Sequence, residues 1–329
     1  MRAILTTRFA EGYQFCPGWI YFPPMRILVT GAAGFVGSNL VRQFLAQGEQ
    51  VIAADDFQSG DWRNLAAFTG DLITLNVAGD VSQLSRIGRC DVIYHEASIT
   101  DTTVVDQTRM CHNNIEGFRQ ILELAQGWGA RVVWASSASI YGNNLAPNVE
   151  TQPPAPLNVY AFSKMKMEHL ADQYRPRLSQ PIIGLRYFNV YGPGEDHKGK
   201  FASMIHQLAK QMREGKSPRI FKSGDQKRDF VYIGDVVQAN LKAMTCPVGG
   251  VANVGCGRAR SFNDIIANLN RVFKTELKPD YFENPYRFTQ DLTQAELTHS
   301  RELLGYEPNY QLENGIDAYF ASGKLGVCN

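Results

Sequence analysis

Residues 26–30, RILVT, run directly into TGAAGFVGSN, with glycines at 31, 34 and 37, and a helix-like SNLVRQFLAQG follows. A strand, a glycine-spaced turn and a helix in that order make a cradle for a phosphate anion. Gly31 permits the tight turn, Gly34 lets the backbone approach a pyrophosphate, and Gly37 lets the helix pack closely with its N-terminus facing the anion. Three spaced glycines alone are common in turns; the flanking strand and helix turn the pattern into a dinucleotide site.

Three further apolar runs, VIAADD (51–56), DVIYHEA (91–97) and RVVWASS (131–137), alternate with helix-like segments. That alternation predicts an α/β fold: a Rossmann-type, doubly wound parallel sheet with its ligand at the strands' carboxyl ends. Beyond about residue 185 the rhythm changes. FASMIHQLAKQMREG reads as helix, PRIF and RDFVYIGDV as extended, and SFNDIIANLNRVF as helix with Ser261 at its N-cap. The expected division is a dinucleotide-binding domain over 25–186 and a smaller α+β, mainly substrate-binding, domain over 187–329. Residues 229–256 are expected to return to the main sheet. Residues 1–24 end in Pro23-Pro24, lack a secretory signal's apolar core, and read as an extension outside the fold.

Lys plus Arg number 33 and Asp plus Glu 32, so no global field draws in nucleic acid or an acidic membrane. No apolar run approaches the ~20 residues of a membrane span. The six cysteines (16, 90, 111, 246, 256, 328) show no metal-ligand spacing and no disulfide framework, which predicts no metal and a cytoplasmic setting.

The second strand ends in Asp55-Asp56, where a carboxylate would accept the adenosine 2′-OH and repel a 2′-phosphate. That favours NAD; Arg63 nearby could pair with a 2′-phosphate and favour NADP, and both stay open. Glu96, Ala97 and Ser98, at the end of the third strand, join the cofactor candidates. Tyr160 and Lys164 in NVYAFSK share one face if helical. With Ser137 at the end of the fourth strand they form a proton-transfer set: Ser137 bonds the reacting oxygen, and a nearby ammonium plus the nicotinamide charge would pull the Tyr160 phenol below its usual ~10.

In YFNVYGPGEDHKGKFAS, Tyr187–Tyr191 reads as a buried strand that breaks at Gly192-Pro193 and then delivers two acids, His197, Lys198 and Lys200. Lys198 is a candidate to move a proton or to bind phosphate. His197 reads as its neighbour or a substrate hydrogen-bonding group.

The glycine loop, SSASIYG, YAFSK and KRDFVYIGDV together resemble the extended short-chain dehydrogenase/reductases of the NAD-dependent epimerase/dehydratase family, from Met25 almost to the C-terminus. Within it, RYFNVYGPGEDHKGKFAS, SPRIF, QKRDFVYIGDV and FTQDLTQAEL resemble the branch acting on ADP-glycero-manno-heptose, which inverts C6. The resemblance implies catalytic positions at Ser137, Tyr160, Lys164 and Lys198. It implies cofactor positions at Phe35, Val36, Asp55, Asp56, Asn113 and Val190, with Tyr160, Lys164 and Lys198 also at the cofactor. Substrate positions follow at Ser137, Asn189, Lys200, Phe221, Arg228 and Tyr286. It further implies one tightly bound NADP or NAD per subunit, a nucleotide-diphosphate sugar substrate, a homo-oligomer, and a product used in lipopolysaccharide core assembly. Departures from the branch are Lys200 for a small hydroxyl residue, Gln207 for a histidine, FKSG at 221–224, and Trp62 and Gln83 for lysines.

Two other enzyme readings compete. An NDP-hexose 4-epimerase needs Ser137, Tyr160 and Lys164 but no second base; a 4,6-dehydratase needs acids that SSASIYG does not offer. A cofactor-sensing regulator would be expected to lose the Ser/Tyr/Lys set.

Overall fold

A computed structural model describes residues 23–221, 223–283 and 292–327. Its strands, in chain order, are β1 (Arg26–Thr30), β2 (Gln50–Asp55), β3 (Asp71–Thr74), β4 (Val92–His95), β5 (Arg131–Ser137), β6 (Ile182–Tyr187), β7 (Asn189–Tyr191), β8 (Arg219–Phe221), β9 (Lys227–Tyr232), β10 (Gly250–Val254), β11 (Ala259–Ser261) and β12 (Asp280–Phe282). Seven of them form one sheet in the order β10-β6-β5-β4-β1-β2-β3. All its pairings are parallel. The order reverses between β1 and β4, so a crevice opens at their carboxyl ends, where Gly31 and Glu96 lie.

Both faces of the sheet are covered, which is why its strands read as nearly continuous apolar runs. Ile27, Val29, Ala53 and Tyr94 face the helices Phe35–Ala46 and Ile233–Thr245. Leu28, Ile52 and Ile93 face Gly117–Trp128 and Val159–Tyr174. None of the described helices is long and apolar enough to cross a membrane.

Two short sheets, β11-β9-β7 and β12-β8, sit beside the main one. They change two readings of the sequence. Tyr187–Tyr191 is not one strand: Tyr187 ends β6, the Phe188 N–H donates to Val254 O at 3.0 Å, and β7 leaves to pair with β9. RDFVYIGDV is extended only to Tyr232. A helix begins at Ile233, and Asp235 in its first turn suits the positive end of the helix dipole. Ser261 does cap its helix, in a reciprocal pair with Asp264.

Candidate active site

The phosphate cradle is a set of close backbone approaches. Gly31 has φ +67°, and a Cβ there would lie 2.6 Å from Ala97 N; a Cβ on Gly37 would lie 2.1 Å from Gly31 O. Gly34 is the N-cap and makes no side-chain bond, so the first turn, with Phe35 and Val36, keeps its N–H groups for an anion. Asp55 is buried. Its Oδ2 accepts the Ala33 N–H at 2.9 Å and its Oδ1 the Phe57 N–H at 2.8 Å, while burial raises its carboxyl. Asp55 thus pins the glycine loop, leaving the less buried Asp56, which accepts the Gln58 N–H, as the freer acid. Arg63 pairs with Asp61 through Nε at 2.9 Å, holding that carboxyl down at about 2. The close-packed glycines, the uncapped helix end and the acids after β2 all fit a nicotinamide dinucleotide.

Ser137 ends β5, and Tyr160 and Lys164 lie one turn apart on the helix Val159–Tyr174. Ser137 lies near enough to Tyr160 to lower its phenol. Lys164 is buried; its Nζ donates to Ser98 Oγ at 2.6 Å and Ala135 O at 2.8 Å, and lies 5.9 Å from the Tyr160 ring centre. Burial lowers Lys164 to about 8, against an opposing pull from Glu96. Tyr160 goes the other way from the sequence expectation: burial raises the phenol, Ser137 lowers it, and Glu96 raises it further. Glu96 is pushed up to about 8 by burial, although Tyr187 donates to its Oε1 at 3.0 Å.

Asn113 sits half-buried on the widened turn His112–Glu116, and the adjacent Asn114 is the buried one. Asn114 accepts the Ile99 N–H at 2.8 Å and donates to Ser163 Oγ at 2.9 Å, tying the segment after β4 to the Tyr160 helix. Asn114 is not among the residues that stand out in the sequence. Two adjacent asparagines carry no local signal for which points inward, and the widened turn shifts the helical register.

The charged loop folds back onto the cradle. Asn39 Nδ2 donates to Pro193 O at 3.1 Å, and His197 Nδ1 lies 3.2 Å from Asn64 Nδ2. Lys198 Nζ lies 5.7 Å from the centre of the Phe35 ring, and burial lowers its ammonium, opposed by Glu195. Lys200 is exposed, its Nζ 4.9 Å from the Phe201 ring centre. Gln207 reaches back to Lys200 O at 3.1 Å and Ala202 O at 2.7 Å, fastening the loop's far end.

Of the substrate candidates, Asn189 is exposed on β7, next to the half-buried cofactor candidate Val190. Arg228 is half-buried on the neighbouring β9, its Nη1 donating to Lys227 O at 2.9 Å. Phe221 stands edge-on to Phe282, ring centres 4.8 Å apart, on the β8–β12 pair. Tyr286 lies outside the described residues.

Residues 27–255 match the NAD dependent epimerase/dehydratase family. The chain belongs to that family. Among solved structures it is similar to the ADP-L-glycero-D-manno-heptose-6-epimerase of Helicobacter pylori, at 40% identity and TM-score 0.85 over 91% of this chain and 96% of that one. It is also similar to the UDP-glucose 4-epimerase of Thermotoga maritima, at 30% identity and TM-score 0.84, covering 91% and 99%. A third is the UDP-glucuronic acid 4-epimerase of Bacillus cereus, solved with UDP-glucuronic acid and NAD, at 30% identity and TM-score 0.80, covering 90% and 98%.

Proposed function

We propose that this family member is an ADP-glycero-manno-heptose 6-epimerase. The observation that carries the reading is Lys198: a half-buried lysine on a fastened loop, brought against Phe35 of the cofactor cradle, besides the Ser137–Tyr160–Lys164 set. The 40% identity to the Helicobacter pylori enzyme agrees with it.

Inverting an unactivated secondary alcohol is hard because its C–H is not acidic. An oxidised nicotinamide ring held in the cradle can accept a hydride and return it, and its positive charge would draw the Tyr160 phenol down. The protein's own work is proton handling. The C6 oxygen must lose its proton when the ketone forms and regain one after the ketone has turned its other face. Ser137 orients that oxygen in one pose, and Tyr160 exchanges its proton. In the turned pose the oxygen lies toward the other side of the site, where Lys198, with its ammonium already lowered, exchanges the proton instead. Lys164 holds the segment after β4 through Ser98 and supplies positive charge beside Tyr160. Asn189, Lys200, Phe221 and Arg228 are the proposed sugar-nucleotide contacts, with the Arg228 guanidinium suited to the diphosphate.

For the cofactor, the Asp61–Arg63 pair and the acids after β2 favour NAD; NADP would require Arg63 to leave Asp61. Identifying the dinucleotide released on denaturation tests this. If the reading holds, the enzyme is a cytoplasmic homo-oligomer supplying lipopolysaccharide core assembly.

The deciding experiment incubates the protein with the ADP-linked heptose and separates the C6 epimers. Lys198→Met and Tyr160→Phe are each expected to lose about 100-fold or more in kcat. Wild-type epimerisation by Lys198→Met, with Tyr160→Phe inactive, would sink the two-residue scheme. Turnover of a UDP-hexose without heptose epimerisation would favour the 4-epimerase reading, which the two UDP-sugar enzymes keep in view.

A further inference from the structure

The loop that carries Lys198 is wrapped around one carboxyl group that the reaction above does not use. Glu195 is fully buried. Its Oε1 accepts the Gly192 N–H at 3.1 Å and the Ser203 hydroxyl at 2.9 Å, and its Oε2 accepts the Ser203 N–H at 2.5 Å. Tyr319, on the helix Leu312–Ala321, lies close enough to the same carboxyl group for Glu195 to raise its phenol. The Tyr319 hydroxyl in turn lies 2.8 Å from Nδ1 of the buried His206. Backbone N–H groups can only donate, so both carboxyl oxygens face fixed donors, a setting built for the anion. The Lys198 N–H donates to Glu195 O at 3.0 Å, which closes the turn that carries the lysine.

We propose that Glu195 is a positioning residue for Lys198: its carboxylate, gripped by Gly192 and Ser203 with Tyr319 alongside, fixes the segment that presents the lysine and is the buried counter-charge of the ammonium. The inference rests on the reading that Lys198 moves a proton.

The charges around the pair fit this role. Lys198 faces Glu195, which pulls its ammonium back up against burial, and it lowers the neighbouring His197. His197 also faces Asp61 and Asp196. Glu195 is raised by burial and lowered by Lys198 and the Ser203 and Gly192 donors. On the packed helices, Tyr319 is raised by burial and by Glu195 and Asp196, and His206, which faces Asp196 and Lys210, is lowered by burial. The contact therefore links the C-terminal helix to the group delivered at the cradle. Helix packing places Tyr319 beside Glu195, and Glu195 acts on both the position and the charge state of Lys198.

The test uses the full chain with its bound dinucleotide. Lysine side chains labelled with 13C are titrated by NMR, and the Lys198 resonance is identified by its loss in Lys198→Met. Glu195→Gln keeps the side chain's shape and removes the charge. The expected result is a Lys198 midpoint lower by about one pH unit or more. The kcat for the ADP-linked heptose should fall about tenfold or more, with KM within about threefold and dinucleotide content unchanged. Tyr319→Phe removes the polar hydroxyl beside the carboxylate from outside the loop and should move the midpoint the same way by less; it decides the matter if Glu195→Gln does not fold. An unmoved midpoint, or a pH profile of kcat identical to wild type, overturns the positioning role. If Lys198→Met is inactive at the same time, the role of Lys198 survives that failure; if Lys198→Met is fully active, both ideas fall.

Discussion

Gly37→Ala places a methyl group where a carbonyl already sits. The new Cβ would lie 2.1 Å from Gly31 O, 2.8 Å from Gly31 C and 3.0 Å from Ala32 Cα, all backbone atoms with no rotamer to relieve them. Restoring ordinary contact requires a shift of about 1 Å. Gly31 cannot supply it, because it is already packed against Ala97. The helix Phe35–Ala46 must therefore lift at its N-terminus, the end that faces the phosphates. Overpacking of this kind costs about 1–3 kcal/mol. Expressed in dinucleotide affinity that is about 5- to 150-fold, and in thermal midpoint about 2–12 °C. The assay is the dinucleotide released per chain on denaturation, alongside a melting curve. Wild-type cofactor content with a midpoint moved by less than about 1 °C would refute the argument that backbone contact, rather than loop flexibility, selects glycine at 37.

Two further perturbations test the buried charges. Glu96 has a carboxyl raised to about 8, so the folded protein keeps a proton through a window in which the unfolded chain has lost it. Stability should therefore fall as pH rises from about 4.3 to 8 and level off above that. Glu96→Gln should gain on wild type across the same window, by on the order of 2–4 kcal/mol, and parallel melting curves at pH 5 and pH 8 would contradict this. Glu168 accepts from Arg186 at 2.7 and 2.9 Å and from Ser136 at 2.6 Å, all inside the protein. Glu168→Ala leaves the guanidinium without its counter-charge and should cost about 3–5 kcal/mol, read as a fall in thermal midpoint that Glu168→Gln shows only in part.

What the sequence disclosed is whatever is encoded within one element and its neighbours. Gly31 and Gly37 are legible because backbone contacts leave no room for a side chain there, Gly34 because it sits at the anion's approach between them, and Ser261 because its partner Asp264 is three residues on. Tyr160 and Lys164 are legible because a helix puts them one turn apart. The break at Phe188 was hidden, because it depends on Val254, 66 residues away, and on a second sheet that no local pattern announces. The helical start at Ile233 was masked by a β-branched run continuing from β9. Asn114 and Glu195 were missed, and Gln207 was noted only as a departure from the branch, for a related reason: each bonds backbone, or a group on another element, and polar residues doing so resemble ordinary loop and helix polars in a linear reading.

The passage between the two groups of sheets has a mechanical consequence. The chain crosses from one to the other at Phe188, at Tyr232–Ile233 and at Gly255–Gly257. The first crossing is pinned by Val254 O, and the third by Asp229, which accepts the Cys256 and Gly257 N–H groups at 2.7 and 3.0 Å. Two of the three crossings are thus anchored, which opposes rotation between the sheets, whereas a hinged enzyme concentrates its bending at a few unconstrained residues. Discrimination among sugars must then come from side chains meeting the ligand in a nearly fixed frame, so exchanging residues on β7, β8 and β9 should alter substrate choice without altering how the enzyme moves.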